Sequence, residues 1–126
     1  MKVAMQFGNS GGSNAPIVTE TLSPTVTKTS GNTSIDSAEA VRYGNVIHFN
    51  FNFLFTGTTN AGNNAFVGTV TGIPLPAIPQ NGAGFFSNSA LIGALDSDGI
   101  MTIRVVGGNR SSSQTVASVR FIYICN

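Results

Sequence analysis

The chain has 126 residues and a net charge of +1, and only 9% of its residues are charged, against about 25% in an average soluble protein. That length fits one domain, and a 41% share of hydrophobic residues excludes a disordered chain. Six basic residues scattered along the sequence make no electrostatic footprint for nucleic acid, and no apolar run approaches the roughly 20 residues of a membrane span.

Surface polarity must therefore come from neutral groups, and Asn, Ser, Thr and 15 Gly supply them. Surface helices usually present Glu and Lys, so this profile favours strands joined by Gly/Asn/Ser turns. The single cysteine, Cys125, rules out an intramolecular disulfide scaffold and reads as a buried thiol. Met1 to Met5 lacks the charged-then-apolar pattern of a secretory leader, so synthesis in the cytoplasm without a signal peptide is expected. A surface with few charges has little to repel a copy of itself, which predicts a symmetric oligomer.

In chain order, Val3 to Phe7 reads as a short strand, followed by the polar patch Gly8 to Asn14. Residues 17–43 are Thr- and Val-rich β-prone pieces cut by Pro24 and by Ser30-Gly31-Asn32. Gly44-Asn45 reads as a tight turn into the most informative stretch, Asn45 to Thr56. There Ile47, Phe49, Phe51, Phe53 and Phe55 alternate with His48, Asn50 and Asn52. A strict period of two in bulky aromatics means a strand with one buried face and one wetter face. At helical spacing the same rings would scatter round a cylinder beside asparagines.

Gly57 to Asn64 is a loop, and Phe66 to Val70 a strand. Residues 72–84 carry Pro74, Pro76 and Pro79 and are expected to run as a polyproline-like crossover. Phe85 to Leu95 returns to strand, with a single helical turn over 89–95 as the alternative. Asp96 to Gly99 is a hairpin turn, Ile100 to Val106 a strand, Gly107 to Ser113 a polar loop and Gln114 to Cys125 the closing strand. About eight strands at 8–12-residue spacing predict an antiparallel β-sandwich, jelly roll or small barrel.

Catalytic sets are hard to assemble. His48 is the only histidine and no Gly-x-Ser-x-Gly signature accompanies it. Asp96 and Asp98 share one turn, and the segment after them lacks the carboxylates of a calcium loop. No Cys/His cluster offers a zinc site, and no cofactor is expected. Saccharide binding asks for less, since amides and hydroxyls hydrogen-bond sugar hydroxyls. Asn60, Asn63, Asn64, Asn81, Asn109 and Arg110 supply such groups on expected loops.

Three features occur in order: Arg42-Tyr43-Gly44-Asn45-Val46-Ile47, the crossover Gly72 to Pro79, and Ser97-Asp98-Gly99-Ile100-Met101-Thr102-Ile103. Together they resemble the C-terminal head domains of phage tail-fibre, baseplate and receptor-binding proteins, over about residues 38–126. On that basis the chain divides into an N-terminal segment, 1–37, and a head, 38–126. The resemblance implies a homotrimeric, jelly-roll-like β-sandwich at the tip of a virion fibre. It further implies a non-enzymatic head that attaches to host-surface glycan. It carries over no catalytic or binding residue. The ligand-contacting candidates, Asn60, Asn63, Asn64, Asn109 and Arg110, rest on loop position and chemistry. A purely structural trimeric virion module and a carbohydrate-binding accessory domain of a wall-degrading enzyme are the alternatives.

Overall fold

The computed structural model describes residues 2–5, 17–86, 89–107 and 116–125. These form an all-β fold with ten antiparallel strands: β1 (Lys2–Met5), β2 (Ile17–Leu22), β3 (Thr25–Ser30), β4 (Thr33–Tyr43), β5 (Val46–Phe55), β6 (Asn64–Thr71), β7 (Gln80–Phe86), β8 (Ser89–Leu95), β9 (Ile100–Val105) and β10 (Ala117–Ile124). They make one continuous sheet in the order β1-β2-β4-β5-β10-β7-β8-β9-β6-β3. Consecutive strands β3 and β4 thus lie seven steps apart in the sheet, yet only Gly31 and Asn32 separate them. A connection that short spans at most about 10 Å, so the sheet must curl until β3 returns beside β4. The result is an open, barrel-like sheet wrapped around its own inner face.

That inner face is the core. β5 runs over the residues expected from alternation, with Ile47, Phe49, Phe51, Phe53 and Phe55 all fully buried and the intervening side chains only partly so. β10 lies beside it in register, pairing Phe121 with Phe49 and Val119 with Phe51. The Phe49 and Phe121 rings stack at 5.8 Å, and Phe51 meets Phe66 of β6 at 4.8 Å. Leu91, Leu95, Met101, Ile103 and Val105 complete the packing from β8 and β9.

At β7 and β8 the sheet carries Gly82, Gly84 and Gly93 where side chains would meet β10. A Cβ at Gly93 would lie 2.6 Å from the Phe121 ring, and one at Gly82 would lie 2.8 Å from it. A Cβ at Gly84 would collide with the Ser118 carbonyl. The Phe121 ring fills the volume that Gly82 and Gly93 leave open, and Gly84 lets the β7 backbone approach β10 closely.

Several sequence expectations are corrected. The crossover is 72–79, since Gln80 to Gly84 already belongs to β7. All three prolines precede Gln80, so nothing after them denies the ladder its donors. Residues 89–95 form strand β8 and no helical turn. Among the described residues ten strands replace the expected eight; of the expected Val3–Phe7 strand, Val3 to Met5 lie in β1 and the rest lies outside the described residues. The 37/38 boundary falls within β4, next to its register shift between Ile35 and Ser37.

The crossover is pinned from below. Tyr123 Oη donates to the Pro74 carbonyl at 2.5 Å, while Ile73 is buried against the core. Burial pushes the Tyr123 hydroxyl up to about 12, with the neighbouring Cys125 adding to the shift.

Two outcomes follow from this packing. Phe51→Ala should lower stability by about 3–5 kcal/mol, because a fully buried ring leaves a cavity; the urea midpoint measures it. For Tyr123, the unfolded chain loses the phenolic proton near pH 10 while the folded chain keeps it. Stability should therefore fall as pH rises from about 10 towards 12, and Tyr123→Phe should remove that component of a pH-dependent denaturation series.

Candidate functional site

The loop between β5 and β6 is a built structure. Asn32 Nδ2 donates to the Thr58 carbonyl at 2.7 Å, and Thr56 N donates to the Asn32 carbonyl at 2.8 Å. Asn63 N then donates to the Asn60 carbonyl at 3.1 Å, closing a four-residue turn. Gly62 holds the third position with φ of 88°, a left-handed geometry that favours glycine, as in a type II turn. Gly62 N donates to the Val105 carbonyl at 2.7 Å, and Val105 N donates to the Asn63 carbonyl at 3.1 Å. The turn is thereby stitched to the end of β9, from which Val106 and Gly107 lead into the second polar loop. Asn60, Asn63 and Asn64 are all exposed. Asn109 and Arg110 lie outside the described residues.

Asn64 opens β6 and sits directly opposite Arg104 of β9. The two line a concavity of about 230 Å³ together with Ile92, Thr102 and Asn81. Two amides read from the sequence as sugar-binding groups, Asn64 and Asn81, are thus brought together from strands that are not neighbours. Arg104 is exposed, and Ile92, 39% exposed, supplies an apolar floor. Arg104, Thr102 and Ile92 were not singled out from the sequence. The alternation of β9 puts Thr102 and Arg104 on the outward face, but their meeting with Asn64 depends on a strand pairing that local pattern does not encode.

The ladders extend this site into a row across seven strands. Asn64 pairs with Arg104, Arg104 with Ile92, Ile92 with Ala83, Ala83 with Arg120, Arg120 with Asn50, and Asn50 with Glu39. Six strand spacings of about 4.8 Å give it roughly 29 Å of arc. Two further concavities lie along the same row. One, of about 490 Å³, involves Asn50, Ala83, Ser118 and Arg120, and the other, of about 250 Å³, involves Glu39, His48, Asn50 and Arg120. Beside the row, Asn52 accepts from Ser118 Oγ and from Asn50 Nδ2 at 3.2 Å, and donates to Ser37 Oγ at 2.8 Å. Neutral groups are preorganised here without any ion pair among them.

His48 is a part-exposed strand residue whose ring meets Tyr43 edge-on at 5.0 Å. Among the described residues, the concavity it shares with Glu39 is lined by Ala40, Val41, Phe49, Asn50 and Arg120. Asp96 Oδ1 accepts from Asp98 N and Ile100 N, both at 2.9 Å, and Gly99 follows with φ of 85°. That carboxylate is committed to a hairpin turn. Among the described residues no three acidic, His or Cys side chains come together as a metal-binding group, and no helix is long and apolar enough to cross a membrane. No protein-family profile matches the chain, and no curated protein sequence matches it.

Thr59, next to Asn60, is the one orphan among the described buried side chains: its Oγ1 is buried without a hydrogen-bond partner. An unpaired buried hydroxyl carries its desolvation cost uncompensated. Thr59→Val should therefore leave the melting temperature unchanged or raise it; a loss of about 1 kcal/mol or more would mean that the hydroxyl does have a partner.

Proposed function

We propose that this domain is a non-enzymatic adhesin head, of the kind found at the tip of phage tail fibres, that attaches to saccharide on a host cell surface. The observation that carries the reading is the concavity in which Asn64, Asn81, Thr102 and Arg104 surround Ile92, beside the stitched turn Asn60–Asn63. Amide, hydroxyl and guanidinium donors around a small apolar floor suit a sugar ring, which offers hydroxyls at its rim and C–H groups on its face. A rigid sheet that presents such groups loses little entropy on binding.

The jelly-roll-like reading is supported by the nesting of strands: β10 lies between β5 and β7, and β9 between β8 and β6. The homotrimer and the virion location rest on the sequence resemblance and on the sparse charge. Three copies acting together would turn weak individual contacts into firm adhesion. The non-enzymatic reading rests on the sequence resemblance.

The test is adhesion of the purified domain to cells of candidate bacteria, competed by their wall polysaccharide. The triple change Asn64→Ala, Asn81→Ala and Arg104→Ala should weaken binding at least about tenfold by removing several polar contacts at once. Wild-type binding should respond only weakly to ionic strength, since among the described lining residues one guanidinium is the sole charge in the concavity. If the triple variant adheres as well as wild type while its circular dichroism spectrum is unchanged, this concavity is not the site. If the wild-type domain binds no candidate host, the purely structural trimeric module takes its place.

A further inference from the structure

We infer that the outer face of β4, β5 and β10 is the surface on which a second copy of this chain packs; the inference rests on the self-association in the reading above and makes its contact two-fold. The ladders line up Tyr43, Val46 and Ile124 in one row and Val41, His48 and Ile122 in the next. Ile124 is 71% exposed, Ile122 52% and Tyr43 37%. Ile78, 70% exposed, lies in the same concavity as Ile122 and Ile124 and extends the patch onto the crossover. Four large apolar side chains left open side by side reach the few hundred Å² that mark an interaction surface on a folded domain. In β10 they also break the alternation of a solvent-facing strand, because Ile122 and Ile124 occupy outward positions where a polar residue would serve solubility better.

The chemistry of the face points to a copy of itself. In the adjoining row it carries one carboxylate, Glu39 on β4, and one guanidinium, Arg120 on β10, with Asn50 between them. Two strand spacings, about 10 Å, separate their backbones, and neither has an ion-pair partner among the described residues. A second copy related by a two-fold axis brings its own Arg120 to Glu39 and its own Glu39 to Arg120, so the contact is isologous and builds a dimer in place of the threefold arrangement. The face is thus complementary in charge to itself, whereas a basic or an acidic partner would leave one of the two groups opposed. Three strands, β4, β5 and β10, with eight paired residues along β10 project to roughly 380 Å² at ordinary strand spacing and rise. The Ile78 crossover and the β2 edge must therefore contribute as well before the contact reaches the approximately 800 Å² per partner of a stable interface. The concavity at Asn64 and Arg104 takes one lining residue, Asn81, from β7 and the rest from β6, β8 and β9. It therefore stays open when β4, β5 and β10 are covered, whereas the two concavities around Arg120 close.

Sedimentation equilibrium of the whole chain tests the inference. The wild-type mass should be a multiple of 13.0 kDa, and Ile122→Asp with Ile124→Asp should reduce it to a single 13.0 kDa chain with an unchanged circular dichroism spectrum. Ile100→Asp, equally a surface isoleucine but on β9, should leave the mass alone. Glu39→Arg should weaken association, and adding Arg120→Glu to it should restore the wild-type mass. A double-Asp variant that folds and keeps the wild-type mass would overturn the interface while leaving the oligomer in place. A wild-type dimer that the double-Asp change splits would support the interface and remove the trimer. A monomeric wild type would end both.

Discussion

The rest of the structure depends on the two-residue link between β3 and β4. Strand pairing places those strands at nearly opposite ends of a ten-stranded order, and Gly31-Asn32 brings them back together. Only a sheet that curls through most of a turn satisfies both conditions. Curling by that much concentrates the inner side chains, which is why β5 can bury five consecutive inward residues, four of them phenylalanine. Close approach of strands to that core needs small residues: Gly82 and Gly93 make room for the Phe121 ring, and Gly84 for the Ser118 backbone. The glycines and the Phe121 ring are matched in volume, while Gly31 of the short link packs against the Ala65 and Phe66 backbone.

How much of this was legible depends on the range of the signal. The 46–55 strand was legible residue by residue, because alternation of Phe with His and Asn is a local pattern with one physical meaning. The Asp96–Gly99 turn was legible for the same reason, since an Asp side chain and a glycine two or three residues on define it locally. The start of β7 was not. Gln80-Asn81-Gly82-Ala83-Gly84 contains no β-branched or aromatic residue and reads as loop; it is a strand because small residues are needed where two strands approach Phe121. The helical alternative over 89–95 failed because Leu91 and Leu95 answer to the core across the sheet and not to an i, i+4 stripe. At the candidate site, Asn60, Asn63, Asn64 and Asn81 were legible as exposed amides. Their neighbours Arg104 and Ile92 were not, because pairing of β6 with β9 and of β9 with β8 is non-local information.

Sparse charge shapes the outer surface as strongly as the aromatic pattern shapes the core. The outward row from Asn64 to Glu39 contains two arginines and one glutamate, and between them lie amides, an alanine and an isoleucine. Such a surface has few long-range preferences, so contacts on it are decided by shape and short hydrogen bonds. The Asn52 cluster illustrates how that is achieved: Ser37, Asn50 and Ser118 from three strands converge on one amide and fix its orientation. The face then divides by composition. Its β6–β9 side is polar and concave, its β10 side apolar and open, and the two lie far enough apart to serve different partners.

The position of β10 has a consequence for how the chain reaches this structure. β10 is central, hydrogen-bonded to β5 on one side and β7 on the other, yet it follows every other strand in the sequence. During synthesis β5 is made some 60 residues before its second neighbour, so one edge of the aromatic strand has no partner until the end. Pairings across such separations are slow to close. An unpaired edge beside a phenylalanine face is prone to aggregation in the interval. The polar outward residues of that strand, His48, Asn50 and Asn52, reduce the risk by keeping its other face compatible with water while it waits.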